Sequence, residues 1–505
     1  MTPTWTLVIC LLGAILQQFM PRTEPKFARA TALLTAFLSL AAAFSGVVNG
    51  MDPGVFTTLT RAPWVPGLGI EFHLAADGIT HCMLVLTGIA AVAGVLFSWN
   101  VEHRVRDFFS LYFLLLTGCF GVFLSADLFL LFVFYELAIV PKYLLIAHWG
   151  SKNREHGAMK LALYSFVGSA LVFAGILACA WASGVGSFSL QELGKHAFPP
   201  DFQRWVFPLL FVGFAVLAGM FPFHTWAPTG HSAAPTAASM LLAGVVMKLG
   251  AYGALRAGVA LMPQGAAMWQ MPLGMLAAIG IVHGAWVALT QRDIKYIIGY
   301  SSVSHMGFAL LGLLSLSSAG LSGAVLQMFS HGIIGGLLFA IAGRMIYDRT
   351  HTRELAELEG LNLQKLMPFA AVSFVLAGFA SMGMPGFSGF AAEAHVLAGA
   401  WKSFPSLAIL SGVGIVLGAA FTLRVVHRTF YAAGAGEVEP SPASTKEKQA
   451  HGEALVISIP ERLGAMGLIA VALAVGLWPR LLLDWIVPAL ESPLFENLRK
   501  SGGLQ

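Results

Sequence analysis

Long apolar runs separated by short polar connectors fill almost the whole chain. A helix that crosses a bilayer needs about 20 apolar residues, and fewer where it is broken inside protein. The pattern predicts 14 spans, over residues 4–20, 28–49, 79–98, 108–124, 128–148, 159–182, 205–222, 235–260, 272–290, 296–315, 321–346, 368–400, 405–430 and 463–478. Span 7 is broken at Gly219-Met220-Phe221-Pro222, and span 12 at Gly383-Met384-Pro385-Gly386. Broken helices at corresponding places point to an ion site. Each proline frees backbone groups that need partners, so both breaks are expected to face protein or water, not lipid. Residues 50–78 and 183–204 are the longer connectors on one side, and SLQELGKHAF in the second reads as a short interfacial helix. Residues 432–459 are polar and read as a linker. The tail from Arg480 onward reads as an interfacial segment, with Trp485 and Pro488 near the headgroups. The predicted fold class is an all-α polytopic membrane protein.

Composition agrees. The chain is 57% hydrophobic and 11% charged, with a mean hydropathy of +0.76, where a soluble domain carries about 25% charged residues. The net charge of +4 comes from basic residues placed singly between apolar spans, so lipid is the expected surrounding and no nucleic-acid partner is expected. Connectors after odd-numbered spans hold Arg22, Lys26, Arg29, Arg104, Arg106, Lys152, Arg154, Arg292, Lys295, Arg349, Arg353, Arg428, Lys446 and Lys448. Those after even-numbered spans hold only Arg61, Lys195, Arg204 and Lys402. The basic set should be cytoplasmic, which puts both termini on the outer side. No charged segment or small-residue cleavage site marks the N-terminal run, so it reads as a retained span. Cys10, Cys82, Cys119 and Cys179 lie in apolar runs without metal spacing and read as core residues. No metal site is expected, and no phosphate loop, dinucleotide fingerprint or nucleophile elbow occurs.

The chemistry lies in charges inside the spans. Each costs about 2.5–3.5 kcal/mol on insertion scales, so such residues are usually functional or paired. Glu136 in span 5 reads as a relay carboxylate whose proton affinity a nearby ammonium would tune, or as a structural ion-pair partner. Lys248 in span 8 reads as a proton-exchanging amine, or as a fixed counter-ion. His305 and His331, in adjacent spans 10 and 11, can pass protons between their ring nitrogens. Glu393, past the break in span 12, reads as a terminal exchange site, with His395 beside it. His224 and His231 flank the elbow between spans 7 and 8, and a role near an outside exit is weighed against a structural one. Arg344, Asp348, Arg349, His351 and Arg353 read mainly as a snorkelling interfacial cluster. Such charges compose a hydrated chain across the membrane plane, not a substrate pocket.

Several runs occur together in order: FYELAIVPKYLLIAHWG, FPFHTWAPTGHSAAPTAASMLLAGVVMKLGAYG, RDIKYIIGYSSVSHMGF, LQMFSHGIIGG, DRTHTREL and MPGFSGFAAEAHVL. The chain thereby resembles the antiporter-like membrane subunits of respiratory complex I, chain M above all (chain 4 in mitochondria), from about residue 79 to 430 and on into the final span. The resemblance implies a 14-helix core with two inverted five-helix repeats and broken helices 7 and 12. The corresponding division is residues 1–107 for spans 1–3, 108–260 and 272–430 for the two repeats, and 431–505 for linker, last span and tail. It implies a proton-translocating subunit of an NADH:quinone oxidoreductase in a bacterial inner membrane. Its partners would be other membrane subunits, especially neighbouring antiporter-like chains. No cofactor is expected in this chain; NADH, flavin (FMN), Fe–S clusters and quinone would be bound by other subunits. By position, Glu136, Lys248, His305, His331 and Glu393 match the family's proton relay.

One position departs from the resemblance. The family carries a lysine in span 7, where GFAVLAGMFPFHTWAP places Leu217. Lys142 appears in span 5 instead, six residues from Glu136. On a regular helix that is about 240° away and about 9 Å along the axis. Lys142 would then either substitute in part for the missing lysine or snorkel to the cytoplasmic side. The alternatives to a complex I subunit are an ion-transport chain of a related assembly (a cation/proton antiporter, a membrane-bound hydrogenase or an inorganic-carbon uptake complex) and a divergent scaffold that no longer pumps.

Overall fold

A computed structural model describes residues 2–432, 456–502 and 504 of the chain. Most of the expected linker thus lies outside the described residues. Twelve helices among the described residues are long and apolar enough to cross a membrane. They match predicted spans 2–11, 13 and 14. Two shorter apolar helices, Trp5–Phe19 and Pro368–Ser381, stand at span 1 and at the first half of span 12.

The helix ends follow from local sequence. Asp77, Asp127, Asp293 and Ser317 cap spans 3, 5, 10 and 11, each accepting from backbone N–H groups of the first turn. A helix end in an apolar layer cannot leave those donors unpaired. Pro25, Pro200, Pro263, Pro368 and Pro405 open other helices, where the missing N–H costs nothing.

Span 8 is a broken ladder rather than a regular helix. It runs Thr236–Leu241, a π-helical turn Leu242–Val246, Met247–Gly253, and a second π-helical turn Ala254–Val259. Span 11 ends in a third such turn, Ile341–Tyr347. π-turns inside α-helices concentrate at functional sites, because they shift backbone carbonyls out of register.

The connector at 50–78 holds a feature that the span pattern hid. Strand β1 (Thr57–Val65) pairs antiparallel with β2 (Ile70–Ala76), in a register running from Thr57 opposite Ala76 to Val65 opposite Ile70. Arg61 binds Glu71 at 2.8 Å and Glu192 at 2.7 Å, which ties the hairpin to the short helix Leu190–Leu193. The tail forms a helix, Arg480–Leu490, which docks on the body with Trp485 stacked on the His81 ring at 5.1 Å.

The breaks in spans 7 and 12 are less enclosed than expected. Phe223 is 42% and Met384 40% exposed, and Pro222 and Pro385 are exposed too. Both breaks therefore reach a flank of the chain, where no element among the described residues covers them.

The arginines at the end of span 11 are held by carboxylates of the protein. Arg344 Nε and Arg349 Nη2 hold the two oxygens of Glu461, at 2.8 and 2.6 Å, and Glu461 is 1% exposed. Arg344 also binds Asp348 at 2.6 Å, and Arg353 binds Asp293 at 3.1 Å. A buried carboxylate at the start of span 14 draws these side chains inward, where water would otherwise draw them out.

Candidate functional site

Four buried side chains from four helices line up at the centre of the molecule. Lys248 Nζ lies 2.7 Å from His331 Nδ1. The rings of His331 and His305 stack with centroids 5.4 Å apart and 28° between planes. His305 Nε2 lies 3.7 Å from Glu393 Oε1. Lys248, His331, His305 and Glu393 are 0%, 4%, 9% and 5% exposed, so no link in the row touches bulk solvent.

The backbone sets this spacing. Spans 8 and 11 cross at Gly244 and Gly332, and a Cβ on Gly332 would sit 2.7 Å from Gly244 O. That contact admits no side chain, and it brings Lys248 within reach of His331, the neighbour of Gly332. The π-turn at Leu242–Val246 supplies the Ala243 carbonyl, which accepts a second hydrogen bond from Lys248 Nζ. At the far end, Gly383 has φ +72° and a Cβ there would meet Glu393 Oε2 at 2.7 Å. The break in span 12 thus leaves room for the carboxylate. His305 Nε2 donates to Ser381 O, also at the break, at 2.8 Å. Ser304, His305, Ser381 and Glu393 border a cavity with room for about one water.

Replacing Gly332 by valine should part spans 8 and 11 and break the Lys248–His331 contact. The expected result is an assembled chain with depressed proton transport, checked by comparing Gly332→Val with Gly332→Ala in vesicles. Transport equal to the unsubstituted chain in both would show that the crossing does not set the contact.

The first half of the chain is arranged differently. Leu217, at the family's lysine position, is 2% exposed and packed against span 8, where Gly250 closes on its backbone. Lys142 is 0% exposed and donates to Ser165 Oγ at 3.2 Å. The snorkelling alternative is therefore wrong: Ser165 on span 6 anchors the ammonium inside the protein. Ser169, one turn further along span 6, faces Glu136. Span 5 is two helices, Leu128–Leu137 and Ile139–Trp149, interrupted at Ala138 ahead of Pro141.

His224 and His231 lie on the side of the connectors that follow odd-numbered spans. The elbow they flank is bonded to connectors that follow odd-numbered spans: Ser151 N donates to Ala233 O at 2.8 Å, and Arg353 Nη1 to Ser232 O at 2.8 Å. His231 is fully buried, its ring 4.9 Å from Phe339, and His224 lies 5.1 Å from His283. His395 Nδ1 contacts Ala391 O of its own helix at 2.7 Å and stands outside the row.

The residue-by-residue reading missed other buried groups. Asp77 and Arg256 form an ion pair at 2.5 Å with both side chains 0% exposed. Lys295 is buried, with Nζ donating to Ala234 O at 3.0 Å, beside a cavity of about 360 Å³ that Asn100, Ser151, Arg344 and Asp348 also border. Arg256 carried a usable signal, since it follows Lys248 at eight residues on the same helix. No group of three or more His, Cys, Asp or Glu able to hold a metal occurs among the described residues.

A family model described as "NADH:quinone oxidoreductase/Mrp antiporter, TM" matches residues 125–418, which hold all of the central row. The chain belongs to this family. It is 34% identical over 499 residues to NADH-quinone oxidoreductase subunit M of Escherichia coli, covering 95% of each chain. It is 36% identical over 441 residues to an NAD(P)H-quinone oxidoreductase chain 4 of Picosynechococcus, covering 85% of this chain and 80% of the relative. Among solved structures, a chain of respiratory complex I from Thermus thermophilus superposes with a TM-score of 0.86 at 27% identity, covering 98% of this chain and 100% of that one. A chain of the Mrp complex from Dietzia shares the fold, with a TM-score of 0.84 at 20% identity and 98% and 97% coverage. This member of the NADH:quinone oxidoreductase/Mrp antiporter family is a multi-pass membrane protein.

Proposed function

We propose that the chain is a proton-translocating membrane subunit of an NADH:quinone oxidoreductase, and that Lys248, His331, His305 and Glu393 carry its protons. The observation that supports this most is the buried row itself, with Lys248 Nζ 2.7 Å from His331, the His331 and His305 rings stacked 5.4 Å apart, and Glu393 3.7 Å from His305. Burying an amine, two imidazoles and a carboxylate together is costly unless they do work. A lysine ammonium donates to His331 Nδ1. The imidazole takes that proton on one nitrogen and releases another from its second nitrogen. His305 bridges to Glu393, and the carboxylate accepts. Transfer resets when Lys248 takes a proton from the inner side, where the polar cavity beside Lys295 brings water toward the start of span 8.

In this reading the two inverted repeats, residues 108–260 and 272–430, each supply one half of the path. In the first half Glu136 pairs with Lys142 through Ser165 and Ser169, in place of a span-7 lysine. The basic connectors face the cytoplasm and both termini face outward. The redox groups belong to other subunits. The exposed breaks of spans 7 and 12 favour neighbouring membrane chains as partners, because open backbone in hydrocarbon is tolerated only against protein or water.

The test is the purified complex, reconstituted in vesicles, with proton uptake and quinone reduction measured together. Glu393→Gln should lower the number of protons moved per electron. An unchanged ratio in an assembled complex would favour the scaffold reading, for which the uncharged Leu217 is the supporting observation.

A further inference from the structure

The cavity at the start of span 8 gathers one surplus positive charge and several spare donors. It holds about 360 Å³, and its wall includes Ser98 at the end of span 3, Thr236 and Ala237 of span 8, Lys295 of span 10, and Arg344 and Asp348 of span 11. Small-molecule sites run from about 300 to 1,000 Å³. The charges around it can be matched one by one. Arg344 binds Asp348 at 2.6 Å, Arg349 binds Glu461 at 2.6 Å, and Arg353 binds Asp293 at 3.1 Å. Lys295 is left over. It is 2% exposed and forms no ion pair with a described residue. Its one bond, to Ala234 O at 3.0 Å, uses one of the three N–H groups of an ammonium. A buried ammonium without a counter-charge is costly.

The donors beside it are equally unspent. Ser98 is 4% exposed, and its hydroxyl bonds no described residue. Span 8 runs as one helix from Thr236 to Val259, and no side chain caps its start. Pro235 ahead of it has no N–H to offer, and the N–H groups of Thr236, Ala237 and Ala238 bond no described residue. A helix start of this kind carries partial positive charge and aims N–H groups at whatever lies before it. Water could satisfy the hydroxyl and the N–H groups. It brings no charge to set against Lys295, and an oxyanion does both.

We propose that this cavity is a binding site for a phosphate-class oxyanion, supplied as free phosphate or as the headgroup of an anionic lipid. Lys295 provides the charge, the first turn of span 8 the N–H donors, and Ser98 a hydroxyl. Phosphate presents oxygens in four directions, which suits donors arriving from three helices. Asp348 is the carboxylate on the wall, and Arg344 neutralises it. The site stands whether or not Lys248 carries protons.

The experiment uses the purified complex and makes two counts in the unsubstituted chain, Lys295→Met and Ser98→Ala. Radiolabelled inorganic phosphate bound per complex is measured in detergent, and anionic phospholipid retained after delipidation is measured by mass spectrometry. One more phosphate in the unsubstituted chain than in Lys295→Met would establish the free ion. One more anionic lipid, with equal phosphate, would establish the headgroup. Ser98→Ala removes only a hydroxyl and should raise the phosphate concentration for half-occupancy about tenfold, as expected for one hydrogen bond to a charged group. This milder variant carries the test if Lys295→Met does not assemble. Neither count reads proton transport, so failure here leaves the relay reading untouched. Equal phosphate and equal lipid in all three chains would overturn the site and leave a cavity filled by water.

Discussion

Lys248→Met should leave the complex assembled and strip it of most proton translocation through this chain. Methionine fills nearly the same volume as lysine, and replacing a buried charge by a well-packed apolar group is often neutral or stabilising. The cost should therefore appear in function and not in yield. His331 Nδ1 loses the donor 2.7 Å away. Removing a positioned proton donor slows transfer by about 10²- to 10⁴-fold. Proton uptake by vesicles, scored against quinone reduction, reads the loss directly. A variant that pumps normally would mean that His331 is loaded from elsewhere, and the central role of Lys248 would be lost. Lys248→Arg should not rescue pumping, since a guanidinium stays charged at every working pH.

The second large effect concerns the first half. Lys142→Met should lower pumping with the complex intact, because Glu136 then loses the buried ammonium that acts on it. Leu217→Lys restores a lysine at the family's position and should recover part of the ratio when combined with Lys142→Met. Leu217 is 2% exposed and packed against span 8, so the single Leu217→Lys variant should cost stability, read as a lower melting temperature in detergent. The order that sinks the idea is plain: unaltered pumping in Lys142→Met, with a raised ratio in Leu217→Lys alone. The first half would then be a weakened channel, and Lys142 only a structural anchor on Ser165.

What could be read beforehand was set by cost. A charge inside an apolar run is conspicuous, so Glu136, Lys248, His305, His331 and Glu393 stood out without coordinates. Their joining did not, because the contact between Lys248 and His331 depends on a glycine crossing between helices 83 residues apart. The Asp77–Arg256 pair spans 179 residues, and Asp77 looked like an ordinary loop residue before its span. The place of the Lys142 ammonium could not be read either, because its Ser165 partner lies 23 residues away on the next span. The hairpin escaped notice because its alternation, TTLTRAPWV against IEFHLAA, lies in a connector read only for charge. The bonds that join the elbow at His224 and His231 to connectors after odd-numbered spans run between residues 80 and more apart, so they could not be read beforehand.

The clamp on Glu461 gives the final helix an independence that its place at the end of the chain conceals. Arg344 and Arg349 reach it from span 11, and Ser458 and Glu461 close its first turn as a capping box. All of these anchors lie outside residues 433–455. The last span is thus a docked part, held to span 11 by its own side chains, so that loss of either arginine would loosen the start of this helix without touching the central row.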